Sequence, residues 1–384
     1  MGAEVGRKCK PRGANLRKGK EARHGIAADG RRSANSCSSG SESTKGGGGG
    51  APLSVDQQVE WLLSHLQPCE TADRRRQAVM DQVSGIVSSY LGRQLFACGS
   101  FPLRTYLADG DLDLVLFCGP CPSSADHGHP DHELLKVSSA LCLDVLRQND
   151  GAGYSSVRNV NFVNARTRIV TCIVGSLSVD ITVNQIGSLA AALLLEEADR
   201  RVRDHLIKRS VLLLKAWGLH EAPRYAGITQ PVFGAKATGL TSYALSIMVL
   251  RLFALNACEL RTPTEVLLAF FREYSDFDWD NLCVTLSGSK PLSASGGSGV
   301  AGGGSDQHKF AALVSHLRSK IAQAKEGAVA AAAGAPPERF QHRFCNIQDP
   351  LNDTNNLGHS VSLPVLRSLI SALAKGRQHL EALL

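Results

Sequence analysis

Two aspartates, Asp111 and Asp113, stand two residues apart at the head of the apolar run Leu112-Asp113-Leu114-Val115-Leu116-Phe117. In a strand, residues i and i+2 point to the same face, so the spacing presents both carboxylates together. Two like charges that close repel unless a cation lies between them, and hard carboxylate oxygens suit a divalent metal such as Mg²⁺ or Mn²⁺. Upstream, Gly99-Ser100 predicts a small turn. Its backbone can approach a ligand closely, and its N–H groups and hydroxyl suit phosphate oxygens. A third carboxylate, Asp180, lies in a second alternating apolar segment, Leu177-Ser178-Val179-Asp180-Ile181-Thr182-Val183. If the two strands pair, three carboxylates can hold two metal ions, an arrangement suited to in-line attack of a hydroxyl on a nucleoside triphosphate.

These residues must be carried by strands, and the segment holding Asp180 looks largely buried. Leu95–Cys98, Asn159–Val163, Thr167–Val174 and Leu177–Val183 read as strands, and Glu133–Gln148 as a helix between them, giving an α/β sheet covered by helices. Ahead of it, Ser54 and Gln57 form a capping box for a helix with apolar positions at Val55, Val59, Leu62, Leu63 and Leu66. A second helix runs from about Ala72 to Gln94. From Leu189 onward helices dominate: a long one over Ala190–Gly218, an apolar one over Leu240–Ala257, one opening at Thr262-Pro263, one over Asp306–Lys325, and a last one over Ser360–Leu383.

In this order the motifs resemble the polymerase β-type nucleotidyltransferase superfamily, and within it the terminal nucleotidyltransferases that include poly(A) and poly(U) polymerases. Leu-Leu-Lys-Ala-Trp (213–217), Gly-Leu-Thr-Ser-Tyr-Ala-Leu (239–245) and Ile-Gln-Asp-Pro-Leu-Asn-Asp-Thr-Asn-Asn-Leu-Gly (347–358) carry the likeness further. The stretches at Tyr106–Asp113, Asp180–Leu189 and Asp276–Asn281 are most similar to plant and algal members.

The resemblance implies a nucleotidyltransferase palm over 95–188, inserted in a helical central, substrate-binding domain like that of poly(A) polymerase and oligoadenylate synthetase, over 189–384. The helices of 53–94 are expected to join that central domain and lead into the palm. It implies Asp111, Asp113 and Asp180 as catalytic metal ligands and Gly99, Ser100 and Lys215 at the triphosphate. Ser242 is implied on phosphate, Tyr243 stacked on the base, and Asp349, Asn355 and Asn356 in a base-recognition loop. Asn184 is either a ribose contact or a turn cap. Relatives often carry a second Lys where this chain has Leu219, a role that Arg224 or Lys236 could take. Uridylyl-preferring relatives often carry His at the position of Asn355, which favours a purine. His359 replaces a usual Arg. The expected activity is adenylyl transfer from ATP to an RNA 3′ end with two Mg²⁺ or Mn²⁺ ions. Transfer to a small molecule or protein, and a silent RNA-binding scaffold, are the alternatives.

Composition bounds the partners. The 384 residues carry a net charge of +7. Residues 1–50 hold eleven Lys/Arg against four Asp/Glu, so that excess resides in the tail and the remainder is neutral. A neutral remainder tempers a polyanion-binding reading without excluding a basic face. Residues 1–52, rich in Arg, Lys, Gly and Ser, are expected to be disordered, and the Gly/Ser-rich insertion 287–305 to be a flexible loop. No apolar run reaches the length of a transmembrane helix. Eleven cysteines without a secretory signal point to an intracellular, reducing setting, nucleus or cytoplasm. Cys118 and Cys121 with His127, His129 and His132 are either a zinc site or an adventitious cluster. Asp276–Asn281 reads as a loop anchored by Phe277 and Trp279.

Overall fold

The computed structural model describes residues 52–118, 130–148, 157–164, 167–227, 231–234, 240–255, 260–293, 310–326 and 339–384. The basic tail, Cys121, His127, His129, Lys236 and residues 294–305 of the expected insertion lie outside these.

The first helix, α1 (Val55–Leu66), opens on the expected capping box, with Ser54 and Gln57 satisfying each other's backbone N–H groups. Helix α2 (Glu70–Leu91) ends at Gly92 in the left-handed region (φ 61°), where a residue without Cβ stops a helix at little cost. The chain then enters β1 (Leu95–Cys98), the short turn α3 (Ser100–Leu103) and β2 (Leu112–Leu116). Helix α4 (Pro130–Gln148) leads to β3 (Val157–Val163), β4 (Ile169–Val174) and β5 (Leu177–Val183). The sheet order is β1-β2-β5-β4-β3, with β2 and β5 parallel and the other pairs antiparallel.

Period-two alternation decides what each sheet face meets. Leu112, Leu114, Leu116, Val170, Cys172, Val174, Val179 and Ile181 are buried in one cluster with Val79 and Val83 of α2 and Leu134, Val137 and Leu141 of α4. The intervening residues, Asp113, Thr171, Ser178, Asp180 and Thr182, are only half-buried and face the other way.

The rest is a helical lobe: α5 (Ile186–Asp199), a 3₁₀ turn (Arg203–His205), α6 (Leu206–His220), α7 (Ala222–Ala226), α8 (Ser242–Leu255) and α9 (Pro263–Ser275), then the hairpin β6 (Leu282–Thr285) and β7 (Gly288–Pro291). Helix α10 (Ala311–Glu326), the ribbon β8 (Gln348–Asp349) and β9 (Asn352–Asn356), and α11 (Leu363–Leu383) complete it. A second apolar cluster, including Leu194, Leu213, Trp217, Met248, Phe270 and Leu373, is its core, and Leu63 of α1 is buried in it.

Three expectations are corrected. Of the helices in 53–94, α1 does join the lobe, packing on α6 and α9, but α2 packs on α4 and β1 as part of the palm. The long helix over 190–218 is broken, because the buried Asp199 accepts from the Lys208 backbone N (3.1 Å) and pairs with His205 Nδ1 (2.8 Å). Those contacts hold a kink in which Asp204 and His205 both have φ near +54°. Residues 288–291 of the insertion form a strand, because Arg251 donates to Gly288 O and Ser289 Oγ (both 3.1 Å) and ties the hairpin to α8. Among the described residues no helix is long and apolar enough to cross a membrane.

Candidate active site

The parallel register of β2 and β5 sets Asp113 directly beside Asp180, and β1 sets Cys98 on the other side of Asp113. Both carboxylates lie on the sheet face turned away from α2 and α4. Asp111 precedes β2 by one residue. The loop that delivers it is held from below by Arg76, itself 2% exposed, which donates to the carbonyls of Leu107, Ala108 and Gly110 (3.3, 3.4 and 3.0 Å) and lies 3.7 Å over the Tyr106 ring. Sequence reasoning missed Arg76. In the run Arg74-Arg75-Arg76 only its helical phase, three residues before the buried Val79, distinguishes it.

Gly99 shows why the turn before β2 needs glycine. Its φ is 66° and ψ −138°, and a Cβ there would lie 2.1 Å from Asp113 Oδ2. The turn's backbone therefore rests on the carboxylate. Burial, aided by Asp113 and Asp180 respectively, pushes the thiols of Cys98 and Cys172 up to about 12. Both are neutral thiols at ordinary pH, which leaves carboxylate oxygens as the hard donors suited to Mg²⁺ or Mn²⁺. Among the described residues no group of three or more His, Cys, Asp or Glu side chains is arranged to hold a metal ion.

Lys215 reaches this point from the helical lobe. Its Nζ donates to Thr105 O at 2.6 Å, and Thr105 N donates back to Ser100 O at 3.0 Å. Burial pulls the ammonium down to about 8 against the opposing field of Asp113. Turn, lysine and carboxylate pair thus converge between palm and lobe. Arg224, by contrast, pairs with Glu221 at 2.9 Å and is largely exposed on α7.

At the start of α8 the cap is Thr241, whose Oγ1 accepts from Ala244 N (3.1 Å). Ser242 is therefore not the N-cap, and its hydroxyl is exposed on the first turn. Tyr243 donates to Asp349 Oδ1 (3.0 Å). Burial first, then the Asp349 carboxylate, pushes its phenol well above the ordinary range. Asp349 also accepts from Leu351 N and Asn355 Nδ2 (both 2.9 Å). Buried and engaged on both oxygens, Asp349 positions Tyr243 and Asn355. It is not itself placed to read a base.

Asn356 is corrected outright. It is 2% exposed; its Oδ1 accepts from Ile347 N and Gly358 N (3.1 and 2.9 Å), and its Nδ2 donates to Gln341 O and Asn346 Oδ1 (both 3.0 Å). Its hydrogen-bonding capacity is used, so it staples the loop instead of meeting a nucleotide. Asn184 caps the end of β2, its Oδ1 accepting from Cys118 N (2.9 Å). Cys118 Sγ lies 3.5 Å from Glu133 Oε2, and burial, then Glu133, raises that thiol to about 11. The 276–281 loop is anchored as expected: Trp279 is buried, its Nε1 donates to Tyr274 O (3.3 Å), and Asp276 pairs with Arg377 (2.7 Å).

A five-stranded mixed sheet with paired carboxylates, set beside a helical lobe that gathers α1 and everything after β5, is the polymerase β-type nucleotidyltransferase fold. Residues 202–384 match the family of the PAP/OAS1 substrate-binding domain. Among solved structures the chain is similar to the Cid1 poly(U) polymerase, described for its RNA terminal uridylyl transferase activity. The identity is 15% and the TM-score 0.55, over 85% of this chain and 93% of that one. It is also similar to a cytoplasmic RNA terminal U-transferase (17% identity, TM-score 0.54, 85% and 93% covered). The third likeness is to mtPAP in complex with ATPγS (15%, 0.57, 86% and 68% covered). No curated protein matches the chain by sequence.

Proposed function

We propose that this chain is a metal-dependent nucleotidyltransferase that extends RNA 3′ ends without a template, transferring AMP from ATP and releasing pyrophosphate. The observation that carries it is the register of Asp113 against Asp180 beside the Gly99 turn and Lys215. Divalent ions held by Asp111, Asp113 and Asp180 would supply charge neutralisation at the reacting phosphate and lower the pKa of the attacking hydroxyl. The chain's own groups supply position. The Gly99-Ser100 turn and Lys215 take the triphosphate, with Ser242 on its phosphates, and Tyr243 and Asn355, fixed by Asp349, take the base. The acceptor's 3′-oxygen attacks the α-phosphorus and the bond to the β-phosphate oxygen breaks, so pyrophosphate leaves toward the turn. Asn355, in place of the His of uridylyl-preferring relatives, supports ATP over UTP. One similar structure, mtPAP, is described in complex with ATPγS and with UTP.

The neutral charge outside the tail supports a second reading, nucleotidyl transfer to a small molecule or protein. Incubating a labelled oligoribonucleotide with each of four NTPs and Mg²⁺ or Mn²⁺ tests both. Ladders on a gel with ATP support the proposal. An unextended RNA alongside a labelled non-RNA product supports the second reading and overturns the first.

A further inference from the structure

The row of residues running through the carboxylate pair is closed at one end and open at the other. In register across the sheet it reads Cys98, Asp113, Asp180, Thr171, Asn161. At the β1 end Cys98 is 4% exposed, beneath the Gly99 turn and close to α5, which packs on both α3 and β1. At the other end Thr171 is half-buried and Asn161 is exposed, with exposed Val163 and Arg158 flanking it.

Asn161 occupies its place through an irregularity. Arg158 pairs with Ile173 and Asn161 with Thr171, so β3 carries one residue more than β4 between the two pairs. The extra residue is accommodated at Asn159, whose φ is 52°, a conformation Asn tolerates better than most residues. In an unbroken ladder Val160 would stand opposite Thr171 and Asn161 would face α4. The bulge turns an amide onto the carboxylate face instead, a re-aiming that bulges near active sites perform. Asn161 Nδ2 donates to Asn159 O (3.0 Å), which leaves Oδ1 as an acceptor.

On the proposed function, in-line displacement requires the attacking oxygen and the departing pyrophosphate on opposite sides of the α-phosphorus. The turn and Lys215 take the pyrophosphate side, toward β1. The acceptor must therefore arrive over β5, β4 and β3. We infer that Thr171 and Asn161 bind the ribose of the acceptor's 3′-terminal nucleotide. Strands stand about 4.8 Å apart, so these side chains lie roughly 5 and 10 Å from Asp180 along the row. A hydroxyl and an amide oxygen there match a 2′-hydroxyl, which is both donor and acceptor and distinguishes RNA from DNA.

The experiment compares two oligoribonucleotides that differ only in the last sugar, ribose or 2′-deoxyribose, each with its 3′-hydroxyl intact, using the full chain. The wild type is expected to prefer the ribose end. Asn161→Ala and Thr171→Val are each expected to raise KM for the ribose-ended RNA by roughly five- to tenfold, as for loss of a hydrogen bond, to leave KM for ATP unchanged, and to lose most of the preference. Thr171→Ser, which keeps the hydroxyl, is expected to retain it. A wild type that extends both ends equally, or variants that keep both KM and preference, would overturn the inference while leaving the polymerase reading standing. A wild type that extends neither RNA overturns the polymerase reading first, and the inference with it.

Discussion

Substituting Gly99→Ala tests whether the turn sets the position of Asp113. The added Cβ would sit 2.1 Å from Asp113 Oδ2 and 3.0 Å from its Cγ, so either the carboxylate or the turn must retreat by at least about 1.3 Å to reach the 3.4 Å of ordinary contact. A displacement of that size costs on the order of a hundredfold in rate where catalysis rests on positioning. The backbone adds its own cost. At φ 66° and ψ −138°, a region almost confined to glycine, an L-residue is disfavoured by about 1–3 kcal/mol relative to Gly. Single-turnover extension at saturating ATP should therefore slow about a hundredfold, with a modest fall in melting temperature. Gly85 supplies the control. It lies within α2, and a Cβ there meets nothing within 4 Å, so Gly85→Ala should stabilise by about 0.5–1 kcal/mol with activity unchanged. A Gly99→Ala enzyme within threefold of wild type would refute the reasoning.

Asp180→Asn should reduce extension by about 10²–10³-fold, the usual loss of one preorganised charge at a reacting centre. Its thermal stability should be equal or higher, because the neutral amide relieves repulsion with Asp113; differential scanning calorimetry checks this. Lys215→Met should abolish tight triphosphate binding yet stabilise the fold. The native amine titrates near 8, against 10.5 for an ordinary lysine, a difference worth about 3 kcal/mol. Between those values the unfolded chain holds more protons, so wild-type stability rises with pH across that window. The variant's advantage should be largest below pH 8 and fade toward pH 10.5 in denaturant titrations. Asn356→Ala should destabilise by about 2–4 kcal/mol, since it orphans several buried groups, but leave the ratio of ATP to UTP use intact. Asn355→His should shift that ratio toward UTP, read from competing labelled nucleotides.

The palm was legible because its signals are local. Alternation in 177–183 fixes which face Asp180 takes, and β5 forms as read, but β2 begins at Leu112, so Asp111 lies just outside the strand that the Asp-x-Asp spacing was expected to extend through. Pairing of β2 with β5 was a condition the sequence could pose but not meet, since it depends on contacts between residues nearly 70 positions apart. The lobe was readable as helices but not as breaks. The kink after Asp199 comes from one buried carboxylate choosing partners six and nine residues on, and periodicity through Leu194, Leu206 and Leu213 passes over it. The recognition loop was recognisable by its motif, yet Asn355 and Asn356 look alike in sequence. Only burial separates the one held by Asp349 from the one that is saturated.

The helical lobe is assembled from both ends of the chain. Leu63 of α1 and Leu194 of α5 share its core with Trp217 and Phe270, and Glu60 on α1 pairs with Arg209 on α6, 149 residues later. During synthesis α1 leaves the ribosome without its packing surface, which appears only after the whole palm has been made. A fragment starting at residue 202 would lack α1 and α5 and leave apolar side chains of α6 and α9 bare. Expressed alone, it should aggregate or need a chaperone, although its borders coincide with a recognised domain.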